Sequence, residues 1–193
     1  MQARTLSPVD IAALQGLLAA HTPADEREAE HLQRCVELAK GAGNSACRDH
    51  FVPGHFTSSG FVLPPEGEEL LLIFHGKLDR WLQPGGHLEH GDADPLAGAR
   101  REVAEEVGLL ELELVSAGLF DVDVHEIPAR RAEPAHEHFD LRFLFRARTR
   151  AVAAGSDARD VRWVAWTAVN EHESDASVMR AVEKLRRGVP PVA

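Results

Sequence analysis

The chain has 193 residues, 44% of them hydrophobic and 27% charged, the balance of a soluble globular domain with an appendage rather than of a disordered chain. Its formal net charge of -10 excludes nonspecific attraction to duplex nucleic acid, because that affinity comes from Lys and Arg displacing phosphate counterions; an anionic substrate is also repelled unless metal ions intervene. No apolar run nears the roughly 20 residues that cross a bilayer, no basic cluster marks a signal peptide, and Cys35 and Cys47 lack a CxxC spacing, so a cytoplasmic location without a membrane partner is expected.

Residues 1–50 read as a helical extension and 51–193 as the main domain. Ser7-Pro8-Val9-Asp10 has the form of a helix N-cap, followed by Ile11, Leu14, Leu17 and Leu18 at helical spacing. Thr22-Pro23 is the expected start of a second helix, with Glu26 and Glu28 at its positive end and a stripe of Ala29, Leu32, Cys35, Val36 and Leu38; Gly41 and Gly43 close it. From His55 the pattern changes to strands. Phe56 to Leu63 and Glu69 to Phe74 flank Pro64-Pro65-Glu66-Gly67 and predict a hairpin with a longer loop.

Asp94 as N-cap, Pro95 as first helical residue and Gly108 at the left-handed cap predict a helix over 95–107. Strand-like runs follow near 111–127, 136–147 and 161–166, then a helix over about 175–187. Strands with interspersed helices predict an α/β or α+β sandwich, without internal repeats.

The 95–107 helix has two faces. At about 100° per residue, Leu96, Ala99, Val103 and Val107 form a core stripe and Glu102, Glu105 and Glu106 an acidic one beside it. Carboxylates three or four positions apart, with Cβ atoms about 6 Å from each other, repel by roughly 3 kcal/mol at an effective dielectric of 20, a cost that a cation removes. Hard oxygen ligands suit Mg2+ or Mn2+, ions that combine carboxylates with waters and phosphate oxygens. A carbonyl at Gly85 or Gly86 is placed to complete the shell, since glycine lets the backbone approach closely. An isolated acidic patch of this kind is more often a solvated face; here it is joined to a capped helix and a Gly-Gly loop.

This combination resembles the Nudix box, whose pattern is Gly, five residues, Glu, seven residues, Arg-Glu, an aliphatic, any residue, Glu-Glu, any residue, Gly and an aliphatic. Arg101-Glu102-Val103-Ala104-Glu105-Glu106-Val107-Gly108-Leu109 matches the second half without exception. In the first half Asp92 stands where the pattern has Glu, and eight residues separate it from Arg101. Either Asp92 or Asp94 takes the place of the first acid.

The resemblance implies a Nudix-type α/β/α sandwich with a mixed β-sheet behind the N-terminal helices. It also implies a Mg2+- or Mn2+-dependent hydrolase that cleaves a diphosphate linkage in a nucleoside diphosphate derivative or related small phosphorylated metabolite. Carried onto matching positions, it makes Glu102, Glu105, Glu106 and Gly86 metal ligands and Glu102, Glu105 and Arg101 catalytic, with Glu102 a further ligand or the general base and Arg101 the group that orients the acids. On 136–143, period 2 puts His136, His138, Asp140 and Arg142 on one face and Phe139, Leu141 and Phe143 on the other, one face core and the other chemical or wet. His138, Asp140 and Arg142, together with Lys77 and Arg80, are thus candidate substrate-binding groups. An isomerase of isopentenyl-diphosphate type needs an active-site cysteine, and Cys35 and Cys47 lie in the helical extension. A catalytically silent nucleotide-binding regulator usually loses box acids, and all three are present. The N-terminal helices fit a lid, a buttress or a homodimer contact.

Overall fold

The computed structural model describes residues 10–41, 43–76, 78–130, 133–155, 158–170 and 173–188. Two helices lead. The first, α1 (Ile11–Ala20), is capped by Asp10, whose side chain accepts from the Ala12 N–H; the expected Ser7-Pro8-Val9 start lies outside the described residues. The second, α2 (Glu26–Lys40), is capped by Asp25 accepting from Glu28 N–H at 2.8 Å, three residues later than the Thr22-Pro23 start suggested. A carboxylate beside a free amide is the stronger cap.

Five strands, β1 (Gly54–Leu63), β4 (Gly85–His87), β5 (Leu112–Leu114), β6 (Asp121–Ile127) and β7 (His136–Ala147), form a mixed sheet. β1 lies between β4 and β7, antiparallel to the first and parallel to the second; β5 and β6 pair with β7. A separate antiparallel sheet holds β2 (Glu69–His75), β3 (Arg80–Leu82) and β8 (Ala158–Ala165). The hairpin expected between β1 and β2 is therefore absent. β1 is buried along its whole length, as a central strand is, and its long partner is the distant β7 rather than the adjacent segment.

The sheet separates two cores. On one face Ala99, Val103 and Val107 of α3 (Pro95–Val107) meet Phe56, Phe139, Leu141, Phe143 and Phe145, together with Leu14, Leu18, Cys35 and Leu38 from α1 and α2. On the other, Val178, Ala181, Val182 and Leu185 of α4 (Ala176–Arg186) meet Phe61, Leu63, Leu70, Leu72 and Leu144. Helices on both faces of a mixed sheet make the α/β/α sandwich, with α1 and α2 preceding it. α2 also covers the β6 edge, where Val124 N–H donates to His31 Nδ1. None of the described helices is long and apolar enough to cross a membrane.

Close packing requires glycine at one point that matters for the site: a Cβ on Gly54 would lie 1.8 Å from the Glu137 carbonyl oxygen, so only glycine lets β1 begin against β7.

Candidate active site

The ends of α3 are set by its own sequence. Asp94 accepts from Ala97 N–H at 2.8 Å, Pro95 opens the helix, and Gly108, at φ 76°, turns the chain away. Beyond it the segment 151–155 folds back: Ala153 N–H donates to Val107 O and Gly155 N–H to Glu106 O, satisfying carbonyls that a helix end leaves open. The helix that carries the acids is thus held at both ends.

Arg101 organises the acidic face. Its guanidinium donates to Asp92 through Nε at 3.1 Å and Nη2 at 3.0 Å, to the His87 carbonyl at 2.8 Å, to Glu102 at 2.9 Å and to Glu105 at 3.1 Å. Asp92 is buried and also accepts from Glu89 N–H at 2.8 Å. The two aspartates that compete for the place of the first acid therefore divide the work: Asp94 caps the helix, and Asp92 ties the loop to Arg101.

Glu106 is buried and its carboxylate accepts from Gly85 N–H at 2.9 Å. Gly86 lies against Glu102, where a Cβ would stand 2.7 Å from Oε1. Glu105 projects outward, its side chain 58% exposed. The three acids thus grade from buried to solvated along one turn, with Glu102 and Glu106 against the Gly85-Gly86 backbone and Glu105 beside them on Arg101. Burial pushes the Glu102 carboxyl above its usual range; Arg101 opposes this, and the charges of Glu105 and Glu89 add to it. An added cation relieves that repulsion, so the donor set fits a hard divalent ion.

The remaining candidates lie elsewhere. Lys77 is outside the described residues. Arg80 donates to the Ser174 carbonyl at 2.6 Å, bolting β3 to the start of α4. Asp140 and Arg142 share a face of β7, as period 2 predicts, but that face is not wet: Arg142 is 1% exposed, with Asp140 at 2.8 Å, Asp121 at 3.1 Å and Ser177 at 2.9 Å. Asp140 also accepts from Thr57 and Ser59. Arg180 joins Asp121 and Asp123, and Lys184 continues the network to Glu28 on α2. Burial opposes ionisation of Asp123, yet Arg142 and hydrogen bonds with His125 and His31 outweigh it and hold the carboxyl well below its usual range.

His138 falls in a different group. His55, His87, His125, His136 and His138 meet with ring centroids 4.8 to 5.6 Å apart, a cluster drawn from four strands. Burial pushes His55 down to about 4 and His138 to about 2, with neighbouring imidazoles adding. Sequence reading singled out only His136 and His138 of this cluster as sharing a face; the register that brings His55 and His87 to them is non-local.

Cys35 is fully buried in the first core, and burial, with Asp140 and Asp123 adding, raises its thiol far above the usual range. It has neither the access nor the ionisation that cysteine chemistry requires, which removes it as an isomerase residue.

A model of the NUDIX domain matches residues 55–183, more than half of the chain and beginning after α1 and α2. No curated protein sequence matches. Among solved structures, a NUDIX-family hydrolase from Clostridium perfringens is 22% identical, over 69% of this chain and 97% of its own, with a TM-score of 0.52. The E. coli dihydroneopterin triphosphate pyrophosphohydrolase is 17% identical over 69% and 94%, with a TM-score of 0.55. The NUDIX domain of Shewanella oneidensis NrtR, solved with ADP ribose, is 15% identical over 78% and 96%, with a TM-score of 0.53. At these identities the likeness is one of fold.

Proposed function

This chain belongs to the Nudix family, whose hydrolases act on pyrophosphate bonds, and on that premise we propose that it is a Mg2+- or Mn2+-dependent hydrolase of a nucleoside diphosphate derivative or related small phosphorylated metabolite. The observation that carries the reading is the meeting of Glu102 and Glu106 with the Gly85-Gly86 backbone, with Arg101 bridging Asp92, Glu102 and the outward Glu105.

Glu102, Glu105, Glu106 and the Gly86 carbonyl would hold the ion, which supplies charge neutralisation for the diphosphate and lowers the pKa of water. Arg101 holds Glu102 and Glu105 at fixed positions before substrate arrives, so no reorganisation is needed at the moment of reaction. Glu106 is oriented by the Gly85 amide, and that bond couples α3 to β4. Glu102 serves as a further ligand or, where it stays off the ion, as the general base that takes the proton of the attacking water; burial pushes its carboxyl up, the direction that suits a base. Asp140 and Arg142 are left out of the substrate contacts, because protein partners take their polar atoms.

The test is a phosphate-release screen of the whole chain across nucleoside di- and triphosphates, sugar nucleotides and dinucleoside polyphosphates, with Mg2+, Mn2+ or a chelator. Turnover of at least one class that stops with chelator is expected. Binding of a nucleotide without turnover under any metal identifies a regulator and overturns the proposal.

A further inference from the structure

The histidine cluster lies on the opposite face of the sheet from the acidic helix. Successive residues of a strand point to opposite faces: Gly86 faces Glu102, while His87, opposite Thr57 on β1, points the other way. His55 is paired with His138 across the parallel β1–β7 ladder and stands two residues from Thr57 on the same face. The three imidazoles thus come from adjacent strands β4, β1 and β7, and one ring nitrogen from each lies within 4.8 Å of the others.

We propose that His55, His87 and His138 form a site for one divalent transition-metal ion of the Zn2+ class, with the fourth coordination position open to water or a small ligand. Tetrahedral coordination at about 2.0–2.1 Å places ligand nitrogens about 3.4 Å apart, so small ring rotations close the triangle. His55 is 1% exposed, and its Nε2 is buried with no hydrogen-bond partner. A buried polar atom left in that state needs an explanation, and a coordinated ion supplies one. Its Nδ1 points at the His50 carbonyl at 3.3 Å, the outer-shell bond that puts the proton on Nδ1 and leaves the Nε2 lone pair for a metal. His136 stacks on His55 at 5.0 Å and is itself fixed by the Pro134 carbonyl at 2.8 Å, which limits the motion of the His55 ring.

Imidazole donors select Zn2+, Co2+, Ni2+ or Cu2+ over Mg2+, so this ion differs in kind from the one assigned to the acidic helix. The site does not depend on the hydrolase reading. Its consequence for that reading is mechanical: an ion on His87 staples β4 through β1 to β7 and fixes the strand that carries Gly85 and Gly86.

The experiment is Co2+ binding by the full chain after chelator treatment and dialysis, followed by visible d–d absorption, with Zn2+ competition and metal analysis for stoichiometry. One equivalent with a four-coordinate spectrum is expected, displaced by Zn2+ and not by Mg2+. His87→Ala and His138→Ala lower the affinity at least about tenfold, while His125→Ala, which alters a neighbour, and Glu105→Gln, on the other face, retain it. Ring-nitrogen NMR of the unmutated chain, which does not depend on whether the variants fold, shows three histidines shifting with one equivalent of Zn2+. The proposal is overturned if the chain holds no stoichiometric Co2+, if both histidine variants bind as the parent does, or if the ring nitrogens do not move.

Discussion

Replacing Arg142 by Met separates a structural from a substrate-binding role for the most deeply buried cation among the described residues. The substitution keeps an apolar stem of similar length and removes the guanidinium, which lies over the Phe61 ring 5.8 Å from its centroid. It leaves Asp121, Asp123 and Asp140 buried. Asp140 keeps Thr57 and Ser59, and Asp121 and Asp123 keep Arg180, but three carboxylates then share fewer positive charges. Breaking a buried pair on one side costs about 3–5 kcal/mol, because the uncompensated charge stays in low dielectric. For a chain of this size each kcal/mol lowers Tm by roughly 2–4 °C, so a fall of about 6–20 °C is expected. Urea unfolding of Arg142→Met, Arg180→Ala and the double variant gives the coupling: since both arginines serve Asp121, the double loss departs from the sum of the single losses. A change under about 1 kcal/mol, accompanied by a raised KM, refutes the reasoning and returns Arg142 to the substrate.

Four further outcomes follow from the same contacts. Burial raises the Glu28 carboxyl, but hydrogen bonds with His21 and Lys184 and from Ala24 N–H outweigh it and hold the group at about 2 instead of 4.5. Because the folded value is depressed, this contribution of about 3 kcal/mol is fully present above about 4.5 and is lost as pH falls toward 2. Urea midpoints of the parent and Glu28→Gln should accordingly converge across that window, and a constant gap counts against the assignment. Gly86→Ala pushes the end of the flexible Glu102 side chain, so turnover and metal affinity fall while Tm holds; Gly54→Ala meets backbone at 1.8 Å and lowers Tm instead. Arg101→Lys keeps the charge but cannot serve Asp92, Glu102, Glu105 and the His87 carbonyl together, and a loss of about 10–100-fold in metal affinity is expected by isothermal titration. Equal affinity of Arg101→Lys and parent removes the orienting role.

Local chemistry made part of this fold legible. Asp94, Pro95 and Gly108 mark the ends of α3 because caps are set by neighbouring residues, and Asp175 marks α4 in the same way. Alternation correctly separated the faces of β7. What local chemistry does not carry is partner choice: β1 pairs with β7 some eighty residues away, and nothing in Pro64-Pro65-Glu66-Gly67 distinguishes a hairpin from a crossing between sheets. For the same reason the polar face of β7 read as accessible. Asp121 and Asp123 stand directly opposite Arg142 and Asp140, a pairing that follows from the β6–β7 register, which the two segments do not announce separately. His55, His87 and His138 are scattered in sequence and become a group only once β4, β1 and β7 lie side by side. The acidic helix was readable because its three carboxylates belong to one turn; the division of labour between Asp92 and Asp94 was not, because it depends on where the Arg101 guanidinium reaches.

The central claim is that the α3 carboxylates hold the divalent ion on which phosphoanhydride cleavage depends, and free-Mn2+ electron paramagnetic resonance measures this directly. Titrated into the parent chain, Glu105→Gln and Glu106→Gln, Mn2+ should bind the parent and bind both variants at least about tenfold more weakly, with far-ultraviolet circular dichroism unchanged. Identical Mn2+ isotherms for all three proteins contradict the account.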